Sequence, residues 1–398
     1  MSRTMGENAP ELTSSLLADA AGTAFSVRFS KYTSFGNNFI IVDETVTPLD
    51  SDEERAAFAR WVLDGAFGVG GTDNVLYLRQ APGKDAAEQR VLRAQTAGKS
   101  DLPEVDFVFR IFEQDGSETL SCGNGLLSTA ALLHRTYGGS RWCVLTELPT
   151  GDPQLVRMGV DDDAAGTTWI NVGSPRAVPA ELFNREGPVT ASLIDSVDDL
   201  VVPLPADAPW AKGLPSTITL SGSLVFTGEP HLALVSAHGL PEVLEDRLFL
   251  TSDGENDSVG RPLSAARQDS ADLVDYFGKY VNANYSDRFP QGVHLNFAVI
   301  RDKAGLVEYR TYERAIDKET LACGSGVIAL AYILETLGLV TAGATEFWPH
   351  RCRWYQPDAA LVVTETDAGW VLKGRPRLVC VGAVPRSPQA GGKQARHG

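Results

Sequence analysis

The ten residues "ETLSCGNGLL", from Glu118 to Leu127, recur farther along the chain as "ETLACGSGVI", from Glu319 to Ile328. Both copies place Glu, Thr, Leu, Cys and two glycines at the same offsets, and in both an apolar run with helical spacing follows the cysteine. A strand pattern and then a turn precede each copy. We therefore predict a duplicated α+β protein in which each half carries one cysteine motif.

Length, composition and charge indicate an ordinary globular protein. The 398 residues suffice for two domains, and 43% of them are hydrophobic and 22% charged. The formal net charge of −16 argues against nucleic acid or an anionic membrane as a partner, because both carry the same sign. We find no secretory signal pattern and no apolar run near the ~18–20 residues that span a bilayer, so we expect a cytoplasmic protein.

The five cysteines form an odd, sparse set that is not typical of a disulfide framework. No C-x-x-C pair occurs and the six histidines are scattered, so we expect no metal site. Three cysteines lie in strand-like apolar contexts and are predicted to be packing residues: Cys143, Cys352 and Cys380.

The strand and helix patterns give the following organisation. Residues 1–25 form a flexible extension, residues 26–150 a first half with a closing strand near 376–386, residues 151–375 a second half, and residues 387–398 a disordered tail. A turn-rich stretch at 147–153 marks the boundary. Segments near 84–104, 190–215 and 245–285 carry no recognisable motif and are predicted to be insertions.

Each motif cysteine directly precedes G-x-G and an apolar helix, so it should lie at the helix N-terminus. Free backbone N–H groups and the helix dipole stabilise a thiolate there and lower its pKa. The glycines leave room for a carboxylate to approach the same N–H groups. If the two motifs face each other, one thiolate removes the α-proton of an amino acid and the other thiol protonates the opposite face, with no cofactor.

Six segments of the chain resemble the diaminopimelate epimerase family, the cofactor-independent two-cysteine amino-acid epimerases. They are "KYTSFGNNFIIVDE", "FGVGGTDNVLYL", "RIFEQDGSETLSCGNG", "TGEPHLALV", "FPQGVHLNF" and "YERAIDKETLACGSG". The resemblance implies two similar α+β domains, each a mixed β-sheet wrapped around a central helix, with the active site in the cleft between them. It also implies a small amino-acid substrate and a homodimer.

The resemblance assigns roles residue by residue. Cys122 and Cys323 become the acid–base pair, with His231 beside them and Glu313 at the substrate amine. The residues expected to bind substrate are Asn37, Glu113, Gly123, Asn124, Glu229, His294, Arg314, Gly324 and Ser325.

Three of these residues depart from the family pattern. Glu113, Glu229 and His294 stand where the family has asparagines that grip the distal end of diaminopimelate. An amide can donate a hydrogen bond to a distal carboxylate, whereas an ionised carboxylate repels it. The substrate is therefore either diaminopimelate itself or a basic amino acid such as lysine, ornithine, arginine or histidine.

Other readings stay open at this point. A proline racemase-like epimerase also uses two cysteines, although the Y-E-R and E-T-L-A-C-G-S-G segments fit diaminopimelate epimerase better. A non-enzymatic amino-acid-binding protein would keep the fold without turnover, and a disulfide between the two thiols would act as a redox switch. Because both thiols and His231 are retained, we favour the enzyme.

Overall fold

The computed structural model describes residues 26–81, 105–119, 122–146, 154–162, 166–185, 191–236, 238–250, 263–302 and 304–386. The predicted N-terminal extension, the boundary at 147–153, the segment 84–104 and the tail at 387–398 lie outside these residues.

The strands in chain order are β1 (Ser26–Ser34), β2 (Asn37–Asp43), β3 (Asn74–Gln80), β4 (Phe107–Phe112), β5 (Arg141–Thr146), β6 (Gln154–Val160), β7 (Thr168–Asn171), β8 (Asp195–Pro203), β9 (Thr217–Phe226), β10 (Pro230–Ser236), β11 (Gly239–Leu240), β12 (His294–Asp302), β13 (Leu306–Glu313), β14 (Lys318–Thr320), β15 (Ala344–Pro349), β16 (Leu361–Thr366), β17 (Gly369–Gly374) and β18 (Arg377–Pro385). The helices are α1 (Asp52–Val62), α2 (Gly123–Tyr137), α3 (Glu242–Leu248), α4 (Leu263–Asn284), α5 (Gly324–Thr336) and α6 (His350–Arg353).

Strand pairing shows that the fold is a duplication. The first series of neighbours runs β18, β1, β2, β3, β4, β5, β6, β7, and the second runs β8, β9, β10, β12, β13, β15, β16, β17. Each successive pair has the same direction in both series, with parallel pairs at the third and fifth positions. The two series join where β7 pairs antiparallel with β17. The α+β fold with two similar halves is therefore confirmed.

One central helix lies inside each series of strands. Helix α2 contacts β1, β2, β6 and β7, and helix α5 contacts β9, β10, β12 and β16. Both helices are buried along most of their length, because they are enclosed by strands. Leu126 and Leu127 of α2 share one buried cluster with Val327 and Ile328 of α5, so a single core joins the halves.

The two central helices begin where the cysteine motifs predict. Helix α2 begins directly after Cys122 and ends at Gly138, whose φ of 67° lies in the left-handed region that glycine adopts without strain. Helix α5 begins directly after Cys323. Both starts agree with the sequence-based prediction.

Two of the segments predicted to be insertions carry regular secondary structure. Residues 195–203 form β8, which pairs with β9 as β18 pairs with β1, and residues 263–284 form the long helix α4. A register shift between Val197 and Leu200 interrupts the alternation of β8, and Asp199 there has a φ of 57°. The bulge obscures the alternation that would identify a strand in the sequence.

The strand pairing extends the first series beyond the predicted boundary. β6 and β7, which the predicted division assigns to the second half, hydrogen bond to β5 and to each other. The division at 150/151 itself stays a prediction.

The remaining cysteines differ in their surroundings. Cys143 and Cys352 are buried, as predicted for packing residues. Cys380 is exposed, because β18 pairs with β1 and its side chains on that stretch face outward. The prediction that Cys380 packs in the core is wrong.

Candidate active site

The two motif cysteines have the same backbone geometry. Cys122 is the N-cap of α2 with φ −118° and ψ 120°, and Cys323 is the N-cap of α5 with φ −121° and ψ 116°. An extended N-cap leaves the following backbone N–H groups of the helix without helical acceptors. Each motif therefore presents a thiol beside a set of free N–H donors.

The N-termini of α2 and α5 meet head to head. A Cβ atom added to Gly123 would lie 3.7 Å from the Cα of Gly324, and one added to Gly324 would lie 3.9 Å from the backbone nitrogen of Asn124. The Asn124 amide bridges the two motifs, since it donates to the carbonyl oxygen of Ala322 at 3.3 Å and to Asn37 Oδ1 at 2.6 Å. Glycine at both positions permits this close approach.

Burial controls both thiols. Loss of solvent raises the pKa of the Cys122 thiol to about 12, and the backbone N–H groups of Gly125 and Asn124 lower it by less. Burial also raises the pKa of Cys323 well above its ordinary value, and the negative charge of Glu313 adds to this effect. The prediction that the helix N-terminus lowers the cysteine pKa is wrong for this arrangement, because desolvation outweighs the helix N–H groups.

His231 is linked to Cys323 through Ser325. His231 Nε2 lies 3.0 Å from Ser325 Oγ, which lies 3.4 Å from Cys323 Sγ. The backbone of Ser325 is held in turn by Thr227, whose hydroxyl donates to its carbonyl oxygen at 2.9 Å. Burial lowers the pKa of His231 well below its ordinary value, so the ring is neutral.

Asn296 completes this group and was not identified from the sequence. Its Nδ2 donates to His231 Nδ1 at 3.2 Å, and the residue is fully buried. The signal was present, because residues two apart on a strand share a face and Asn296 follows His294 by two on β12. A polar residue inside an otherwise buried strand indicates a specific hydrogen bond.

The carboxyl group of Glu313 acts electrostatically on both motif thiols. Its charge raises the pKa of Cys122 and of Cys323. Burial raises the pKa of Glu313 itself, although the Thr320 hydroxyl donates to its Oε1.

Three residues expected at the distal end of the substrate, Glu229, His294 and Arg314, lie next to one another. Arg314 donates to Glu229 Oε2 and to the carbonyl oxygens of Gln291 and Gly292. His294 Nε2 lies 3.8 Å from the same Glu229 oxygen, and its ring stacks on His231 with centroids 4.7 Å apart. The arginine expected to hold a distal carboxylate is therefore occupied by a carboxylate of the protein itself.

Glu113 approaches the site from the first half. Burial raises its pKa, while hydrogen bonds with Asn74 and Thr119 oppose that rise. Its charge also raises the pKa of Cys122, so Glu113 lies within electrostatic reach of that thiol.

The structure thus brings the predicted residues of both halves together around the two sulfurs, while their catalytic and binding roles stay predictions. Within the described ranges, no cluster of three or more His, Cys, Asp or Glu side chains is arranged to hold a metal ion. Among the same residues, no helix is long and apolar enough to cross a membrane.

The chain is similar in sequence to curated diaminopimelate epimerases, although it matches no family model. It is 27% identical to the enzyme of Archaeoglobus fulgidus over 319 residues, which cover 79% of this chain and 83% of that protein. It is 26% identical to the enzyme of Xanthomonas campestris over 342 residues, which cover 85% of this chain and 92% of that protein.

Solved structures support the fold. A hydroxyproline epimerase from Agrobacterium vitis matches with a TM-score of 0.50 and 15% identity, covering 92% of this chain and 95% of that one. A methylitaconate-delta-isomerase matches with a TM-score of 0.51 and 11% identity, covering 91% of this chain and 96% of that one. The chain is therefore a distant homologue of the diaminopimelate epimerases and an isomerase of the epimerase or racemase class.

Proposed function

We propose that the protein inverts the α-carbon of an amino acid by a two-base reaction between Cys122 and Cys323. The observation that carries this proposal is the head-to-head meeting of α2 and α5, each capped by one of these cysteines, with Gly123 and Gly324 in near contact. A substrate carboxylate at the shared helix N-termini would receive N–H donors from both halves. Its α-carbon would then lie between the two sulfurs.

In the proposed reaction one sulfur, as the thiolate, removes the α-proton, and the other, as the thiol, delivers a proton to the opposite face. The α-carbon of an amino acid is a weak acid, so the base must be strong. Burial, which raises the pKa of both thiols, makes each thiolate a stronger base once formed. The helix N–H groups at the carboxylate stabilise the negative charge that develops in the transition state.

The proposed substrate is an amino acid with a cationic side chain. Glu229 pairs with Arg314, so the guanidinium expected to bind a distal carboxylate is already engaged by a carboxylate of the protein. Glu113 and Glu313 add two further carboxyl groups within electrostatic reach of the thiols. These charges favour the distal amine of lysine or ornithine, the guanidinium of arginine, or histidine. Diaminopimelate is the competing substrate, because it is named in the sequence homologues.

The reaction is tested by α-proton exchange in deuterated buffer, followed by NMR, with lysine, ornithine, arginine, histidine, proline and both LL- and meso-diaminopimelate. We expect exchange with one of them and a loss of at least about a thousandfold in Cys122→Ser and in Cys323→Ser, since each removes an essential proton-transfer group. Cys380→Ser, on the exposed edge strand, is the matched control. Binding measured by calorimetry without any exchange would instead identify an amino-acid-binding protein that has lost turnover.

The substrate preference is tested by Glu229→Gln. This change removes the negative charge that pairs with Arg314, so the kcat/KM ratio of diaminopimelate to lysine should rise by about tenfold or more, as expected for one freed ion-pair partner. Glu118→Gln, which lies in another ion pair on the first half, is the control and should leave the ratio unchanged. Wild-type protein that turns over diaminopimelate far better than every basic amino acid would refute the cationic substrate.

A further inference from the structure

Four side chains form one line of hydrogen bonds that ends at a single sulfur. Asn296 Nδ2 lies 3.2 Å from His231 Nδ1, His231 Nε2 lies 3.0 Å from Ser325 Oγ, and Ser325 Oγ lies 3.4 Å from Cys323 Sγ. The residues come from β12, β10 and the first turn of α5. Asn296 and His231 are fully buried, so water does not compete for these contacts.

The direction of the line follows from its first donor. With the Asn296 amide oriented as in the structure, its NH2 group faces Nδ1 of His231, and in this orientation that nitrogen carries its lone pair. A neutral imidazole has one N–H, which is then at Nε2 and donates to Ser325 Oγ. The Ser325 hydroxyl is left with its own hydrogen to donate, and Cys323 Sγ is the acceptor within reach.

Among the described residues of the first half, no equivalent of this line is present. The residue at the position of Ser325 is Asn124, whose amide donates to Asn37 and to the carbonyl oxygen of Ala322 and so is committed to other acceptors. The hydrogen bonds that lower the pKa of Cys122 come from the backbone N–H groups of Gly125 and Asn124. The two sulfurs therefore differ by one hydroxyl donor, although their helices begin alike.

We propose that Asn296 is a positioning residue that fixes the tautomer of His231, so that the Ser325 hydroxyl donates to Cys323 and stabilises the thiolate of this sulfur. When Cys323 is the thiolate, it is the base and Cys122 is the acid. The α-proton of a substrate passes to Cys323, while the thiol proton of Cys122 passes to the opposite face of the α-carbon. This catalytic consequence rests on the proposed two-thiol reaction, but the line of donors can be tested without turnover.

Other charges also act on the Cys323 thiol and the His231 ring, and a test of the hydrogen-bonded line must leave these charges unchanged. Glu313 and Cys122 influence the Cys323 thiol, and His294 and Arg314 influence the His231 ring. A change at Asn296 alters none of these charges, so its effect on Cys323 reports the hydrogen-bonded line.

The test measures iodoacetamide alkylation of each cysteine in the reduced full-length protein by mass spectrometry, from pH 6 to 10. In Asn296→Leu we expect the Cys323 profile to move to higher pH by about one unit, which is about a tenfold slower reaction below the midpoint. The Cys122 profile of the same sample is the internal control and should stay in place. Asn296→Ala, a smaller truncation that also removes the amide donor without adding a charge, should shift the Cys323 profile in the same direction if the leucine variant does not fold.

A double-mutant cycle separates the line from a general effect on structure. Ser325→Ala should shift the Cys323 profile as Asn296→Leu does, and Ser325→Thr, which keeps the hydroxyl, should restore it. The effect of Asn296→Leu should disappear in the Ser325→Ala background, because the two changes break one line. Equal shifts at both cysteines, no shift at Cys323, or additive effects of the two changes would overturn the proposal. These outcomes do not depend on whether any amino acid is turned over.

Discussion

In each half of this protein, an arginine on the strand before the cysteine motif pairs with the glutamate that begins the motif. The two pairs lie in different environments. Arg110 Nε donates to Glu118 Oε1 at 2.7 Å, and Arg310 Nε donates to Glu319 Oε1 at 2.6 Å. The side chains of the first pair are 14% and 17% exposed, whereas both side chains of the second are 0% exposed. One repeated local pattern therefore gives a partly hydrated ion pair in one half and a dry one in the other.

The surroundings explain this difference. Arg110 also bonds Asp52, an exposed residue at the start of α1. Arg310 instead donates to the carbonyl oxygen of Leu248 in α3 and to Ser270 in α4, and its guanidinium lies over the Trp354 ring. Helices α3 and α4 cover the second pair, whereas the corresponding connection of the first half, between β2 and β3, carries the single shorter helix α1. The same arginine–glutamate pair therefore contributes differently to the free energy of unfolding when helices exclude water from it.

Breaking the buried pair is expected to have the largest effect on stability. Glu319→Gln leaves Arg310 buried beside a neutral partner, so the free energy of unfolding should fall by about 3–5 kcal/mol. Glu118→Gln should lower it by about 1 kcal/mol, because water reaches Arg110. Urea unfolding followed by circular dichroism measures both values.

The double replacement Arg310→Met with Glu319→Leu is the control for that comparison. It removes both charges and should restore most of the stability lost in Glu319→Gln, since the guanidinium that then loses its carboxylate partner, that of Arg351, is 28% exposed. Equal losses for Glu118→Gln and Glu319→Gln would show that burial does not distinguish the two pairs.

The second glycine of each motif offers a smaller contrast between the halves. A Cβ atom at Gly326 would lie 2.5 Å from Asn296 Oδ1, whereas one at Gly125 would meet the flexible end of Leu76 at 3.3 Å. Gly326→Ala should therefore destabilise the protein by about 1–3 kcal/mol through overpacking. Gly125→Ala should change stability by about 1 kcal/mol or less, because the helix propensity of alanine offsets the contact.

Thermal unfolding of the two alanine variants checks this contrast, and their Cys323 alkylation profiles add a second readout. Gly326→Ala displaces Asn296 and should slow alkylation at Cys323, while Gly125→Ala should not. If Gly125→Ala proves the more harmful change in both measurements, the close approach of Asn296 to α5 is not present in solution.

Much of the fold could be predicted from the sequence because the repeated cysteine motif is easily recognised. The two cysteine motifs fixed the starts of α2 and α5, and Gly138 fixed the end of α2. The strand β8 could not be predicted, because the bulge between Val197 and Leu200 breaks the alternation on which a strand prediction depends. Helix α4 was not predicted either, because its apolar residues are spread along 22 residues of mixed polar and apolar sequence.

The candidate site was predictable in its members and unpredictable in its pairings. Short motifs identified Cys122, Cys323 and His231, because each motif is local in sequence. The pairing of Glu229 with Arg314 joins residues 85 positions apart, and no local pattern encodes which partner a long side chain selects. The direction of the thiol pKa shifts was missed for a related reason, since burial depends on packing between the two halves.

The smallest expected effect is a pH dependence that His231 contributes from the second half. Burial holds the pKa of His231 below the ordinary value of 6.5, so the unfolded chain binds a proton at this residue where the folded protein does not. Its contribution to stability is present above pH 6.5 and is lost as the pH falls from there toward the folded pKa. The slope from one such residue is at most about 1.4 kcal/mol per pH unit.

Asn37 is the matched position in the first half, because it accepts a hydrogen bond from Asn124 much as His231 contacts Ser325, yet it cannot titrate. Urea unfolding of wild type, His231→Asn and Asn37→Ala between pH 5 and 8 separates the two halves. Asn37→Ala should lower the free energy of unfolding by about 1 kcal/mol at every pH, as expected for one lost hydrogen bond. His231→Asn should reduce the slope below pH 6.5, since the residue that takes up the proton on unfolding is gone. Parallel curves for the two variants would mean that the His231 ring is hydrated and that its proton is not coupled to folding.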